Sequence, residues 1–170
     1  MTMNDWRIVV MGVSGCGKSS VGIALAKTLG ARFIDGDDLH PAANKAKMSA
    51  GIPLDDEDRW PWLDLVSKAL AESAPAGSAG TVVACSALKR SYRQRILAGA
   101  PNTFFVHLDG SREILQQRLG NRTGHFMPAT LLDSQLATLE PLGSDEPGAV
   151  IDIDQPISQI IALAQALIKR

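Results

Sequence analysis

A parallel β-sheet covered by helices on both faces is the fold the sequence predicts, and three observations predict it. Five short apolar, β-rich runs are spaced along the chain, segments of helical period lie between or after them, and the runs are apolar on successive residues rather than alternate ones. A strand with one face in water alternates apolar and polar residues, whereas a strand buried on both faces has no need to. The chain is therefore expected to form one α/β domain over residues 1–170, long enough to bury a core well.

The first run, "RIVVM" (7–11), leads through a glycine-rich stretch into a helix over Lys18–Leu29. "RFID" (32–35) is the second, and "TVVACS" (81–86) the third, preceded by the small-residue loop "APAGSAG" (74–80). "TFFVHL" (103–108) is the fourth, and "AVIDI" (149–153) the fifth, after the polar turn "GSDEPG" (143–148). A final helix is expected over Ile157–Ile168, with Pro156 in its first turn. Its Ile157, Ile160, Ile161, Ala164, Leu167 and Ile168 make an apolar stripe that speaks for packing, not chemistry.

Charge and cysteine usage narrow the function classes. Seventeen Lys and Arg against 18 Asp and Glu give a net charge of −1, without the basic excess that phosphate contacts to nucleic acid require. Nucleic acid is not expected as a partner. No apolar leader or membrane-length stretch is present, and Cys16 and Cys85 lie far apart, so a cytoplasmic protein with free thiols is expected.

The stretch "VVMGVSGCGKSS" (9–20) carries the first chemistry. Gly12, Val13, Ser14, Gly15, Cys16, Gly17, Lys18 and Ser19, with Ser20 next, satisfy G-x-x-x-x-G-K-[ST] directly between a predicted strand and a predicted helix. Glycines there let consecutive N–H groups face a phosphate, and the helix N-terminus adds partial positive charge. Lys18 is expected at the β/γ-phosphates and Ser19 at Mg²⁺, which points to a nucleoside triphosphate. "FIDGDDLH" then sets Asp35 and Asp37 at the end of the second strand, where open α/β sheets bind ligands. Asp35 could support the Mg²⁺ hydration shell and Asp37 could act as general base on an attacking hydroxyl. A helix N-cap cluster is the alternative for both.

Further candidates are cationic. "LDDEDRWPWL" (54–63) carries Arg59 beside two tryptophans, Trp60 and Trp62, which read as packing residues. "CSALKRSYRQR" (85–95) sets Lys89 and Arg93 four apart on one helix face, either toward a substrate or toward solvent. "RLGNRTGHFMP" (118–128) reads as a helix running into a glycine-containing lid, with Arg118 and Arg122 four apart. Lids that carry arginines exclude water and stabilise a transferring phosphoryl group; two surface arginines at a helix end are the alternative.

Together, "GVSGCGKS", "DGDDLHPAANKAKMSAGIPLDDEDRWPWL", "CSALKRSYR", "GHFMPATLLDSQLATLE" and "DIDQP" resemble the small P-loop gluconokinases, relatives of shikimate and adenylate kinases. The resemblance covers nearly the whole chain. It implies a P-loop kinase fold with a helical substrate segment about 38–73 and a mobile lid about 119–130, and ATP- and Mg²⁺-dependent phosphorylation of D-gluconate at its 6-hydroxyl. It also implies that Asp37 faces the acceptor hydroxyl and that Arg59, Lys89, Arg93 and His125 contact gluconate. Arg118 would stack on adenine, Arg122 would reach the phosphates, and Gln155 and Pro156 would lie in the adenine-side loop. A homodimer is implied as well. Two other classes share the P-loop. A GTP-binding switch needs N-K-x-D, and "NKAK" (44–47) lacks the aspartate; a kinase for shikimate or a nucleoside monophosphate shares the mechanism.

Overall fold

The computed structural model describes residues 5–120 and 129–168. Five strands are present: β1 Trp6–Met11, β2 Arg32–Asp35, β3 Gly80–Ala84, β4 Phe104–Asp109 and β5 Gly148–Asp152. Seven α-helices connect or follow them: α1 Lys18–Leu29, α2 Ala42–Ser49, α3 Asp56–Ala71, α4 Arg90–Gly99, α5 Arg112–Gly120, α6 Ala129–Thr138 and α7 Ile157–Ile168. The strands make one sheet in the order β2-β3-β1-β4-β5, every pair parallel. β1 is therefore central, and the glycine-rich turn leaves its carboxyl end between the ends of β3 and β4.

Successive apolar residues are buried on opposite faces, as the sequence pattern requires. Ile8 and Val10 of β1 join Val82, Val106, Val21, Leu25, Ile160 and Ala164 in a core under α1 and α7. Val9 and Met11 join Val83, Phe105, Leu63, Val66, Tyr92 and Ile96 under α3 and α4. Each fully buried aliphatic or aromatic side chain is worth about 1.5–3 kcal/mol. The stripe on α7 packs through Ile160, Ile161 and Ala164, while Ile157 remains exposed.

The segment 36–58 is clamped rather than loose. His40 stacks on Trp62 with ring centroids 4.2 Å apart, and its Nδ1 pairs with Asn44 Nδ2 at 3.1 Å. Asn44 also donates to Asp58 O at 2.9 Å, and Lys47 donates to the Asp58 carboxylate at 2.8 and 3.0 Å. Trp62 donates from Nε1 to Gly36 O at 2.8 Å, so it is a packing residue that pins the turn after β2. Asp55 caps α3 in a capping box with Asp58, which explains half of the acidity of that segment by helix-start chemistry.

Candidate active site

The turn after β1 uses backbone that glycine alone adopts readily. Gly12, Gly15 and Gly17 have φ of +146°, +88° and +92°. At Gly12 space is closed too, because a Cβ would lie 2.7 Å from Cys16 Sγ and 2.8 Å from Leu108 O. Cys16 N–H donates to Val13 O, and Gly12 N–H donates to Ser86 O just beyond β3, both at 3.3 Å. Burial pushes the Cys16 thiol up against the opposing pull of Lys18, so this cysteine packs the turn rather than reacts. Gly17 caps α1 with no side-chain acceptor, which leaves the first-turn N–H groups for a ligand.

A cavity of about 300 Å³ opens at this turn, lined by Ser14, Gly15, Gly17, Lys18, Ser19, Ser20, Asp37 and Arg118. Lys18 donates from Nζ to Val13 O at 3.2 Å, folded back on the turn it belongs to. Asp35 accepts the Asp37 N–H at 3.0 Å and caps the short 3-10 turn Gly36–Leu39, so the N-cap alternative describes one carboxylate of the pair. Asp37 is the one that lines the cavity. Partial burial first, then the Asp35 charge, raises its carboxyl above the usual value, with Lys18 pulling the other way. A carboxylate so raised is the better base.

Among the described residues, no three His, Cys, Asp or Glu side chains are grouped to enclose a metal ion. Mg²⁺ does not need such a cage, since it keeps several waters and takes one or two protein oxygens beside phosphate oxygens. The Ser19 hydroxyl on the first turn of α1, with the Asp37 carboxylate lining the same cavity, fits that donor set.

Arg118 lies across the turn. Its Nη2 donates to Ile153 O at 2.8 Å, and its Nη1 is 3.7 Å from where a Gly17 Cβ would stand. Gln155 donates to Asp152 O at 2.6 Å and, with Pro156, sits just beyond the Ile153 carbonyl that holds Arg118. Arg122 and His125 lie outside the described residues, as does most of the lid segment.

A second cluster forms between α3 and the start of α4. Asp56 accepts from Tyr92 OH at 2.6 Å and from Lys89 Nζ at 3.2 Å, and Arg59 Nη1 donates to Tyr92 OH at 3.2 Å. Arg59 and Lys89 each stand 5.5 Å from the Tyr92 ring centroid, within cation–π range. The Tyr92 hydrogen bond holds Asp56 below the usual carboxylate range against slight desolvation, with Lys89 adding to it. Burial, then the Asp56 bond, pushes the Tyr92 phenol up, so phenol donates to ionised carboxylate in a short charge-assisted bond. Two cations and a hydroxyl thus converge on one carboxylate.

A family model described as an AAA domain matches residues 8–142. A gluconokinase of Gluconobacter oxydans is 56% identical over 82% of this chain and 78% of its own length. The thermoresistant gluconokinase of Escherichia coli is 42% identical over 99% of this chain and 97% of its own. The chain belongs to the gluconokinase family. The crystal structure of a gluconokinase from Sinorhizobium meliloti superposes with a TM-score of 0.87, at 48% identity over 100% of this chain and 94% of that one. The P-loop kinase fold with its five-stranded parallel sheet is thereby established.

Gluconokinase membership does not make every expected contact a contact. Lys89 and Arg93 were expected on one helix face, but α4 begins at Arg90 and Lys89 is its N-cap in extended backbone. The two side chains diverge: Lys89 goes to Asp56, while Arg93 turns into the interior with none of its surface exposed. There it makes a two-point pair with Glu146 at 2.7 and 3.1 Å and donates to Ala87 O and Glu140 O, both at 2.9 Å. A guanidinium so committed is held by the fold, with its N–H groups on protein acceptors. Two further residues at these clusters were passed over in the sequence. Tyr92 carries no local signal beyond lying in a basic helix. Gln135 is 121 residues from its partner, the Ser14 N–H.

Proposed function

We propose that this protein transfers the γ-phosphoryl group of ATP to the 6-hydroxyl of D-gluconate, giving 6-phospho-D-gluconate and ADP. The observation that carries the proposal is the single cavity in which the phosphate-binding turn, Lys18, Asp37 and Arg118 meet. Phosphoryl transfer needs positioning and charge stabilisation more than covalent help, and those residue types supply both. The turn N–H groups and Lys18 hold the β/γ-phosphates. Ser19, with Asp35, would hold Mg²⁺, which would supply positive charge against the phosphate oxygens. Asp37 accepts a hydrogen bond from the acceptor hydroxyl, orients it and takes its proton. Arg118 binds on the nucleotide side, with Gln155 and Pro156 at the adenine end, and Arg122 and His125 are assigned to the phosphates and to gluconate by the resemblance.

On the acceptor side, Arg59, Lys89 and Tyr92 form the site for the sugar-acid carboxylate. The Asp56 carboxylate supports this, because it gathers two cations and a hydroxyl at one place. The segment 38–73 is then the substrate segment, held in place by the His40 and Asp58 contacts. The family resemblance also implies a cytoplasmic homodimer; no described helix is long and apolar enough to cross a membrane.

A coupled ADP-release assay with gluconate, shikimate and AMP as acceptors tests the proposal, with Lys18→Ala as the control that must lose turnover. Gluconate alone should support ADP release. Equal release with AMP or shikimate, or full activity of Lys18→Ala at saturating ATP, would end it.

A further inference from the structure

The contact between Ser14 and Gln135 has no place in the phosphoryl-transfer scheme above. Ser14 lies in the cavity wall, yet its N–H donates to Gln135 Oε1 at 2.7 Å. The same peptide unit carries the Val13 carbonyl, which accepts Lys18 Nζ at 3.2 Å and Cys16 N–H at 3.3 Å. One peptide plane is therefore held at both ends. The Lys18 ammonium has three donors, so it can share itself between Val13 O and a phosphate. The short Gln135 contact is the one that ties the plane to a separate element.

The Val13–Ser14 pair is flanked by Gly12 and Gly15, both at positive φ, and glycine is the residue with the least preference among backbone wells. A shift of the pair would move the Ser14 and Gly15 residues that line the cavity. Gln135, in contrast, is presented from a fixed element. On α6, Leu132 is fully buried and Asp133 pairs with Arg112 at 2.6 and 3.1 Å. Just past α6, Glu140 N–H donates to Leu88 O and its carboxylate accepts the Arg90 N–H, both at 2.8 Å. A side chain carried by an element so held can set a loop within a fraction of an ångström.

We infer that Gln135 is a positioning residue of the phosphate loop, tying the Val13–Ser14 peptide plane to α6 so that the loop lining the cavity keeps its place when nucleotide binds. The inference rests on the ATP-cradle part of the proposed function and is independent of the acceptor. It is tested by titrating a non-hydrolysable ATP analogue into wild type, Gln135→Leu and Gln135→Glu. Leucine has similar bulk but accepts no hydrogen bond, so nucleotide binding should weaken by roughly tenfold, or about 1.4 kcal/mol, while gluconate KM stays within twofold. A residue that only packed would alter stability and leave nucleotide affinity alone. Glutamate keeps the acceptor oxygen but adds a charge beside the phosphates, so the affinity of Gln135→Glu should rise relative to wild type as pH falls from 8 toward 5 and the new carboxyl protonates. This second variant decides the matter should Gln135→Leu not fold. Analogue affinity within twofold of wild type in Gln135→Leu, or a Gln135→Glu affinity that tracks wild type at every pH, would overturn the inference. A wild-type protein that binds the analogue but does not phosphorylate gluconate would sink the acceptor assignment and leave Gln135 standing. One that binds no analogue would sink both.

Discussion

Replacing Arg93 by methionine should cost stability, not substrate affinity, and the size of the loss follows from what it abandons. The Glu146 side chain is only 5% exposed and Arg93 not at all, so the substitution leaves a buried carboxylate with the Gly143 N–H at 2.7 Å as its remaining neighbour in the pair's site. It also strips the 2.9 Å donor from Ala87 O, and Ala87 is the one non-glycine residue at positive φ among those described, at +45°. Breaking one partner of a buried pair typically costs about 3–5 kcal/mol. Against a total of about 5–15 kcal/mol, the variant should fold but unfold at much lower urea. Glu146 adds a pH signature: burial pushes its carboxyl up, but the Arg93 and Gly143 hydrogen bonds and the Arg93 charge outweigh it and hold the carboxyl low. In wild type that contribution is present above the ordinary glutamate value and is lost as pH falls through the lowered one. Urea unfolding followed by tryptophan fluorescence measures the loss, and Arg93→Met with Glu146→Leu should recover more than half of it, since an apolar pair leaves no charge stranded. A loss below about 1 kcal/mol, together with a gluconate KM raised tenfold at unchanged ATP KM, would refute this and return Arg93 to the substrate.

Three other outcomes are expected. Asp37→Asn, nearly isosteric but far less basic, should lower kcat by roughly 10²-fold or more with ATP binding unchanged; unchanged kcat and gluconate KM would reduce the pair to helix caps. Asp56→Asn should raise gluconate KM roughly tenfold with ATP KM unmoved, because a neutral amide no longer holds Lys89; a lower gluconate KM would make Asp56 a competitor for the cations instead. Burial, with Arg59 and Lys45 adding to it, lowers His40 from 6.5 to about 4, so the unfolded chain takes up the proton first and stability falls as pH drops below 6.5, by about 1.4 kcal/mol at pH 5.5. His40→Gln should flatten that slope in urea midpoints between pH 7 and 5.5, and an unchanged slope would remove His40 as its source.

Local features were legible in the sequence and long-range ones were not. The turn at 12–19 could be read because its chemistry lies in the backbone of eight consecutive residues, and the bounds of α1 and α7 coincide with the expected ones. Strands were placed within a residue or two for the same reason. β3 ends at Ala84 rather than 86, since Ser86 O turns aside to meet Gly12 N–H. The strand order β2-β3-β1-β4-β5 is fixed by pairings between distant segments, for which periodicity carries no signal. Gln135 was invisible on the same ground: a glutamine in an amphipathic helix has nothing local to mark it as the acceptor of a loop amide.

The cations show most sharply what composition cannot decide. On 89–95 four basic residues fall within seven positions, and each meets a different fate. Lys89, just before the helix, keeps a third of its side chain open beside Asp56. Arg90 pairs with Asp145 and Arg95 with Asp64 at the surface, where such pairs contribute about 0–1 kcal/mol. Arg93 alone is taken into the core. The difference is rotational: α4 starts at Arg90, so Lys89, one residue before the first turn, points away from the helix's own faces, and Arg93, three residues on, points inward to Glu146 and the carbonyls of Ala87 and Glu140. Charge at an i, i+4 spacing predicts a shared face only if both residues are inside the helix. Here the boundary falls between them, and it sends one cation to Asp56 and the other into the fold. A substitution at either position then reads out a different quantity, KM for Lys89 and unfolding free energy for Arg93.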